Sequence, residues 1–215
     1  MELRVNIYGF PHKGIRYGLG QLSFKVGSLI FDDIDSLNAC KEIADDFSEL
    51  LDLHLHAEED FVLQPLEARV PGSTQHNRED HLEMERLEHD MNDSIRQLVE
   101  APNEMHLNIA YDKINNFIIE YFRHMSEEET IINKVLWDNF TDQEILGMQG
   151  QILAKLTPDQ FFKWFKYIIP SLSQFEQSIM LGGFKENAPT EAYNITIKNL
   201  EPYLTPNQFA YISSL

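Results

Sequence analysis

Residues 40–65, CKEIADDFSELLDLHLHAEEDFVLQP, set Cys40, Ala44, Phe47, Leu51, His54, Glu58, Phe61 or Val62, and Pro65 three to four positions apart. That spacing gathers them on one face of an α-helix, here called helix B. The face is apolar until it reaches one histidine and one glutamate, and it stops at the turn-rich Val70-Pro71-Gly72-Ser73. Helix B thus carries two ionisable side chains where a core is expected.

Working outward, the same period recurs on both sides. His12, Ile15, Leu19, Leu22, Val26 and Leu29 form a seam that predicts helix A over 12–31, with Asp35 or Ser36 placed to open helix B. Leu87, Met91, Ile95 and Leu98 predict helix C over 74–100, broken by Pro102-Asn103. Helix D begins near Glu104 with Ile114, Phe117, Tyr121, His124, Glu128, Ile131 or Ile132, and Val135. No strand-like alternation stands out. The fold class is therefore all-α, an up-down-up-down four-helix bundle over 1–140.

From Thr141 the rhythm shortens. Thr141-Asp-Gln-Glu144, Thr157-Pro-Asp-Gln160 and Thr205-Pro-Asn-Gln208 are capping-box patterns, two of them with proline at the first helical position. Residues 141–215 are expected to form a C-terminal helical appendage packed on the bundle. They carry no histidine or cysteine.

Composition narrows the function classes. Seventeen Lys and Arg against 35 Asp and Glu give a formal net charge of −18, which repels a phosphate backbone, so nucleic acid is not an expected partner. The single Cys40 rules out an internal disulfide and any site needing several thiolates, so a metal centre must use histidine and carboxylate. Its place on the helix B seam makes it a small buried hydrophobe. No apolar run reaches the length of a signal peptide core or a membrane span, and a soluble cytoplasmic protein without a membrane partner is expected.

Three histidines are followed four positions later by glutamate: His54 and Glu58, His81 and Glu85, His124 and Glu128. In so acidic a chain such pairs also arise by chance, as His56 with Asp60, His76 with Asp80 and His89 with Asp93 show. Position on the seam separates them. His56 lies about 200° around the helix from His54, beside Asp52 and Glu59. His54 and Glu58 instead interrupt a run of Phe47, Leu51 and Phe61, and His124 and Glu128 interrupt one of Tyr121 and Ile131. His81 and Glu85 fall on the flank of helix C, about 80° and 120° from the centre of its stripe.

A carboxylate buried without compensation is costly, so two of them inside a bundle require partners. The seams bring almost no Lys or Arg; they bring His12, His54 and His124. Inward histidines and carboxylates on facing helices are the way a dinuclear metal site is built in a bundle. Neither Glu-x-x-His nor His-Glu-x-x-His occurs, which sets aside ferritin-like carboxylate enzymes and that class of metalloprotease.

One histidine on helix A, His54-Leu-His-Ala-Glu-Glu59 on B, a histidine on C and His124-Met-Ser-Glu-Glu-Glu129 on D resemble the hemerythrin HHE cation-binding family. Leu136-Trp137, Thr141-Asp-Gln-Glu144, Trp164, Pro170 and Ala188-Pro189 resemble a bacterial subgroup with a C-terminal helical extension. The resemblance implies a non-haem centre of two iron ions held by His12, His54, Glu58, His81, His124 and Glu128, with Glu58 and Glu128 as bridges. Zinc or manganese would also suit the donors. Oxygen-carrying hemerythrins have a second histidine one turn after the first on helix C, where this chain has Glu85. As a seventh ligand, Glu85 would favour the ferric state, and it turns the expectation from oxygen transport toward sensing, redox or iron-handling chemistry. The implied function is binding of a small ligand such as O₂ or NO, or redox chemistry, at an open iron position. The alternative is a protein-interaction module whose metal is purely structural, with residues 141–215 engaging a partner.

Overall fold

The computed structural model describes residues 4–215, and no strand occurs among them. Helix α1 spans Gly9–Gly27 and α2 spans Ile34–Glu58. A π-helical turn, Glu59–Leu63, carries α2 directly into α3, Gln64–Arg69. Helix α4 spans Gln75–Glu100 and α5 spans Glu104–Glu127, and a second π-helical turn, Glu128–Ile132, leads into α6, Asn133–Asn139. The four expected rods are thus α1, α2 with α3, α4, and α5 with α6, an up-down-up-down bundle.

Their ends follow local chemistry. Asp33, rather than Asp35 or Ser36, caps α2 by accepting from the Asp35 amide, and Asn103 caps α5 by accepting from the His106 amide at 3.0 Å. The turn between α3 and α4 is closed by Glu67, whose carboxylate accepts from the Gly72 amide at 2.5 Å and the Thr74 hydroxyl at 2.8 Å. Gly72 has φ +84°, where a side chain would be strained.

The first π turn directly follows the His54 and Glu58 pair, and the second begins at Glu128 of the His124 and Glu128 pair. Each widens the helix by one residue, with Gln64 N–H donating to the Glu59 carbonyl and Asn133 N–H to the Glu128 carbonyl. The inward seam therefore slips by one position. Val62 and Leu66 are buried rather than Phe61 and Pro65, and Ile132 and Leu136 are buried rather than Ile131 and Val135.

Two compact units make up the chain. Among the described residues, the first contains 4–9 and 18–155, the second 10–17 and 156–215. The division falls between Lys155 and Leu156, later than position 140, because α7, Asp142–Leu153, is held to the first unit. Arg4 pairs with Asp142 at 2.5 Å and donates to the carbonyls of Trp137 and Phe140, while Arg69 pairs with Glu144 at 2.8 Å. Ile145 and Met148 of α7 join a core of Tyr8, Leu63, Leu66, Ile132 and Leu136.

The second unit comprises α8, Pro158–Ser171; α9, Gln174–Asn187; α10, Thr190–Asn199; a short 3₁₀ turn, Glu201–Tyr203; and α11, Pro206–Ile212. Capping boxes open at Thr141, Thr157 and Thr205 as expected, and a fourth opens at Ser173 with Glu176. Phe165, Ile169, Leu181, Tyr193, Ile197, Leu200 and Ile212 form this unit's own core. The first half of α1 belongs here. Lys13 pairs with Glu176 at 2.5 Å, and Gly14 packs so closely on Ile168 that an added Cβ would meet its Cγ1 at 2.7 Å.

Candidate metal centre

The last turn of α2, the start of the second π turn and the inward faces of α4 and α5 converge inside the first unit. Glu58, His81, His124 and Glu128 are all buried and each offers a donor atom within 4.8 Å of the others. His54 is likewise within that distance of Glu58 and Glu128. The two His-x-x-x-Glu pairs have matching geometry: His54 Nε2 lies 3.2 Å from Glu58 Oε1, and His124 Nε2 lies 3.2 Å from Glu128 Oε1. Between them, His81 Nε2 faces Glu58 Oε2 at 3.6 Å and Glu128 Oε1 at 3.7 Å.

Those last two separations are ion-pair rather than hydrogen-bond distances, and His81 Nε2 is buried without a hydrogen-bond partner. Its ring stands edge-on to that of His124, with centroids 4.9 Å apart. Burial pushes the imidazole toward its neutral form, but Glu128 and Glu58 outweigh that and raise it to about 10. Two carboxylates facing one buried imidazole create a strong demand for a cation at this point. The demand is met by a proton on His81 or by a metal ion.

Around the cluster, the ring orientations are fixed by further polar groups. Glu59 Oε1 accepts from His81 Nδ1 at 2.9 Å, and Arg78 Nε lies 3.3 Å from the other oxygen of Glu59. Asn77 Nδ2 donates to Glu128 Oε1 at 3.1 Å. Tyr8 is fully enclosed, and burial together with the charges of Glu128 and Glu58 holds its hydroxyl well above the ordinary tyrosine range. Burial and the same two carboxylates do the same for Tyr121, whose ring centroid lies 5.8 Å from that of His124.

Of the sequence-derived candidates, His54, Glu58, His81, His124 and Glu128 are brought together. His12 is fully buried on α1, in the stretch 10–17 that counts with the second unit. Glu85 is not part of the cluster and is exposed. The reason is helical phase: four residues advance about 400°, which turns Glu85 further toward water than His81, while Met84, three residues on, takes the inward position at 2 % exposure. The histidines set aside by phase, His56, His76 and His89, are exposed.

Sequence reasoning overlooked Asn77 and Glu59. Asn77 stands one turn before His81 on the same face, and Glu59 follows Glu58 directly; the signal for both was a polar residue beside a ligand candidate on the α4 and α2 seams.

The donor set is imidazole and carboxylate without thiolate, it is enclosed, and it includes a buried ring nitrogen aimed at two carboxylates with no other partner. A metal ion fits it. The family profile described as Hemerythrin HHE cation binding domain matches residues 7–136, which contain every residue of the cluster and His12. No curated protein and no solved structure matches the chain. With more than half its length matched, the chain belongs to the hemerythrin HHE cation-binding family.

Proposed function

We propose that the chain is a non-haem di-iron protein that binds a small ligand such as O₂ or NO, or carries out redox or iron-handling chemistry, at the buried cluster. The observation that carries this reading is the enclosed pairing of Glu58 and Glu128 with three imidazoles. Glu58, Glu128, His54, His81 and His124 would hold the ions, with His12 as the further ligand that membership of the family implies. When bound, such ions supply an exchangeable electron and an open coordination position.

Without Glu85 the protein supplies six ligands rather than seven. The argument from an anionic seventh ligand therefore falls away, and the case against simple oxygen transport rests instead on α4 giving one imidazole. Fewer protein ligands leave more positions for exogenous molecules, which suits sensing, redox turnover or iron handling.

The remaining side chains define the environment. Glu59 would hold His81 with Nδ1 protonated, so that Nε2 presents its lone pair inward. Tyr8 Oη keeps its proton in the field of both carboxylates and supplies a hydroxyl donor inside a water-poor interior. No described helix is long and apolar enough to cross a membrane.

The test is metal content and near-ultraviolet absorption of protein purified from iron-supplied cells, with Glu58→Ala and His124→Ala alongside. Two irons per chain with ferric charge-transfer absorption, lost in both variants, is the expected result. A stoichiometric metal that cannot be oxidised, reduced or liganded by NO would overturn the functional reading and favour an interaction module with a structural metal.

A further inference from the structure

We propose that His76, Asp80 and Glu127 form a second, outer site for a divalent cation, separate from the buried cluster and assembled from the first turns of α4 and the last turn of α5. His76 Nε2 lies 3.2 Å from Glu127 Oε2 and 3.9 Å from Asp80 Oδ2, and the three donor atoms all fall within 4.8 Å of one another. The histidine and aspartate are an i, i+4 pair on one helical face, and the glutamate reaches in from the neighbouring helix.

Two further features separate this group from a chance meeting of surface charges. Arg123 Nη1 binds Glu127 through Oε1 at 2.7 Å, which fixes that carboxylate with Oε2 turned toward His76. Behind Asp80, His124 Nδ1 is buried, has no hydrogen-bond partner, and points at Asp80 Oδ2 from 3.8 Å. Asp80 is itself mostly enclosed, with 14 % side-chain exposure, whereas His76 is 70 % exposed. The group is thus open to solvent on its histidine side and ends at an imidazole of the buried cluster on the other.

One imidazole and two carboxylates select borderline divalent ions such as Zn²⁺ or Fe²⁺ over Mg²⁺, and three protein ligands leave the rest of the shell to water. Arg123 still lies 3.5 Å from Asp80 Oδ2, so an incoming cation must displace that weaker contact, and binding is weaker than at the buried cluster. The outer site does not depend on iron occupying the interior.

The experiment is equilibrium dialysis of the full chain against Zn²⁺ alone, for wild type, Glu58→Gln, His76→Ala and Glu127→Gln. The expected result is a tight class that Glu58→Gln weakens and a looser class that Glu58→Gln leaves in place. His76→Ala and Glu127→Gln should weaken the looser class by about tenfold or more while sparing the tight one. A looser class unchanged in His76→Ala, its absence from wild type, or equal occupancy by Mg²⁺ would overturn the proposal. Loss of the tight class alone in Glu58→Gln bears only on the buried cluster, so the two readings fail separately.

Discussion

Glu59 Oε1 accepts a hydrogen bond from His81 Nδ1 at 2.9 Å, so the residue next in sequence to Glu58 orients the imidazole that faces both Glu58 and Glu128. Carboxylates in this position raise ligand basicity and fix the ring. Glu59→Gln should keep the fold and lower metal affinity by about 10- to 100-fold. Circular dichroism and a competitive chelator titration check it; an affinity equal to wild type would show that the bond does not act on the metal.

Glu88 on α4 is a carboxyl that burial, reinforced by Asp52 and Glu85, lifts from 4.5 to about 7 against hydrogen bonds from Asn92 and Ser48. Because the folded-state value lies above the unfolded one, the folded chain holds the extra proton between those values. Stability from this group is greatest below pH 4.5 and falls as pH rises through about 7. Glu88→Gln removes the penalty and should stabilise the chain at pH 8 by about 1–3 kcal/mol, allowing for partial solvent screening, with little change near pH 4.5. Urea denaturation of both proteins at the two pH values measures the difference.

Gly14 tests the packing of the second unit. A methyl at this buried position meets Ile168 Cγ1 at 2.7 Å and the Ile168 backbone at 3.2 Å, so the helix backbone of α8 has to give. Gly14→Ala should destabilise by about 1–3 kcal/mol despite its better helix propensity. Gly20, with open space around it, is the control: Gly20→Ala should be neutral or stabilising in the same thermal melt.

The four rods and the inward histidines were legible because burial leaves a 3.6-residue imprint on the sequence. Three chemical details were not. Glu85 matched a His-x-x-x-Glu pattern that is inward on α2 and α5, but α4 meets the cluster at a different phase, and Met84 occupies the inward place. The choices Phe61 or Val62 and Ile131 or Ile132 stayed open because no straight α-helix satisfies both flanks of the seam: an inserted residue had to be absorbed, and each π turn absorbs one. The boundary near 140 followed the Thr141 capping box, which does mark a helix start, but a helix start says nothing about which unit the helix packs into. Arg4 and Arg69 decide that through partners more than 70 positions away.

The π turns are the least economical part of the backbone, since each gives up regular α-helical bonding where a uniform helix would have served the core. Their position, directly after Glu58 and beginning at Glu128, indicates that they orient those carboxylates. In the second turn Thr130 is exposed and makes no side-chain bond outside its own helix. Deleting it lets the helix run on at α spacing from Glu128 and returns Ile132 and Leu136 to the phase of Tyr121 and His124, so the core remains satisfied. The deletion should therefore leave helicity and thermal stability equal to or above wild type while weakening metal binding by about tenfold or more through the displaced Glu128. A protein that melts early would show the π turn to be required for packing. One that binds metal as wild type does would remove its link to the site.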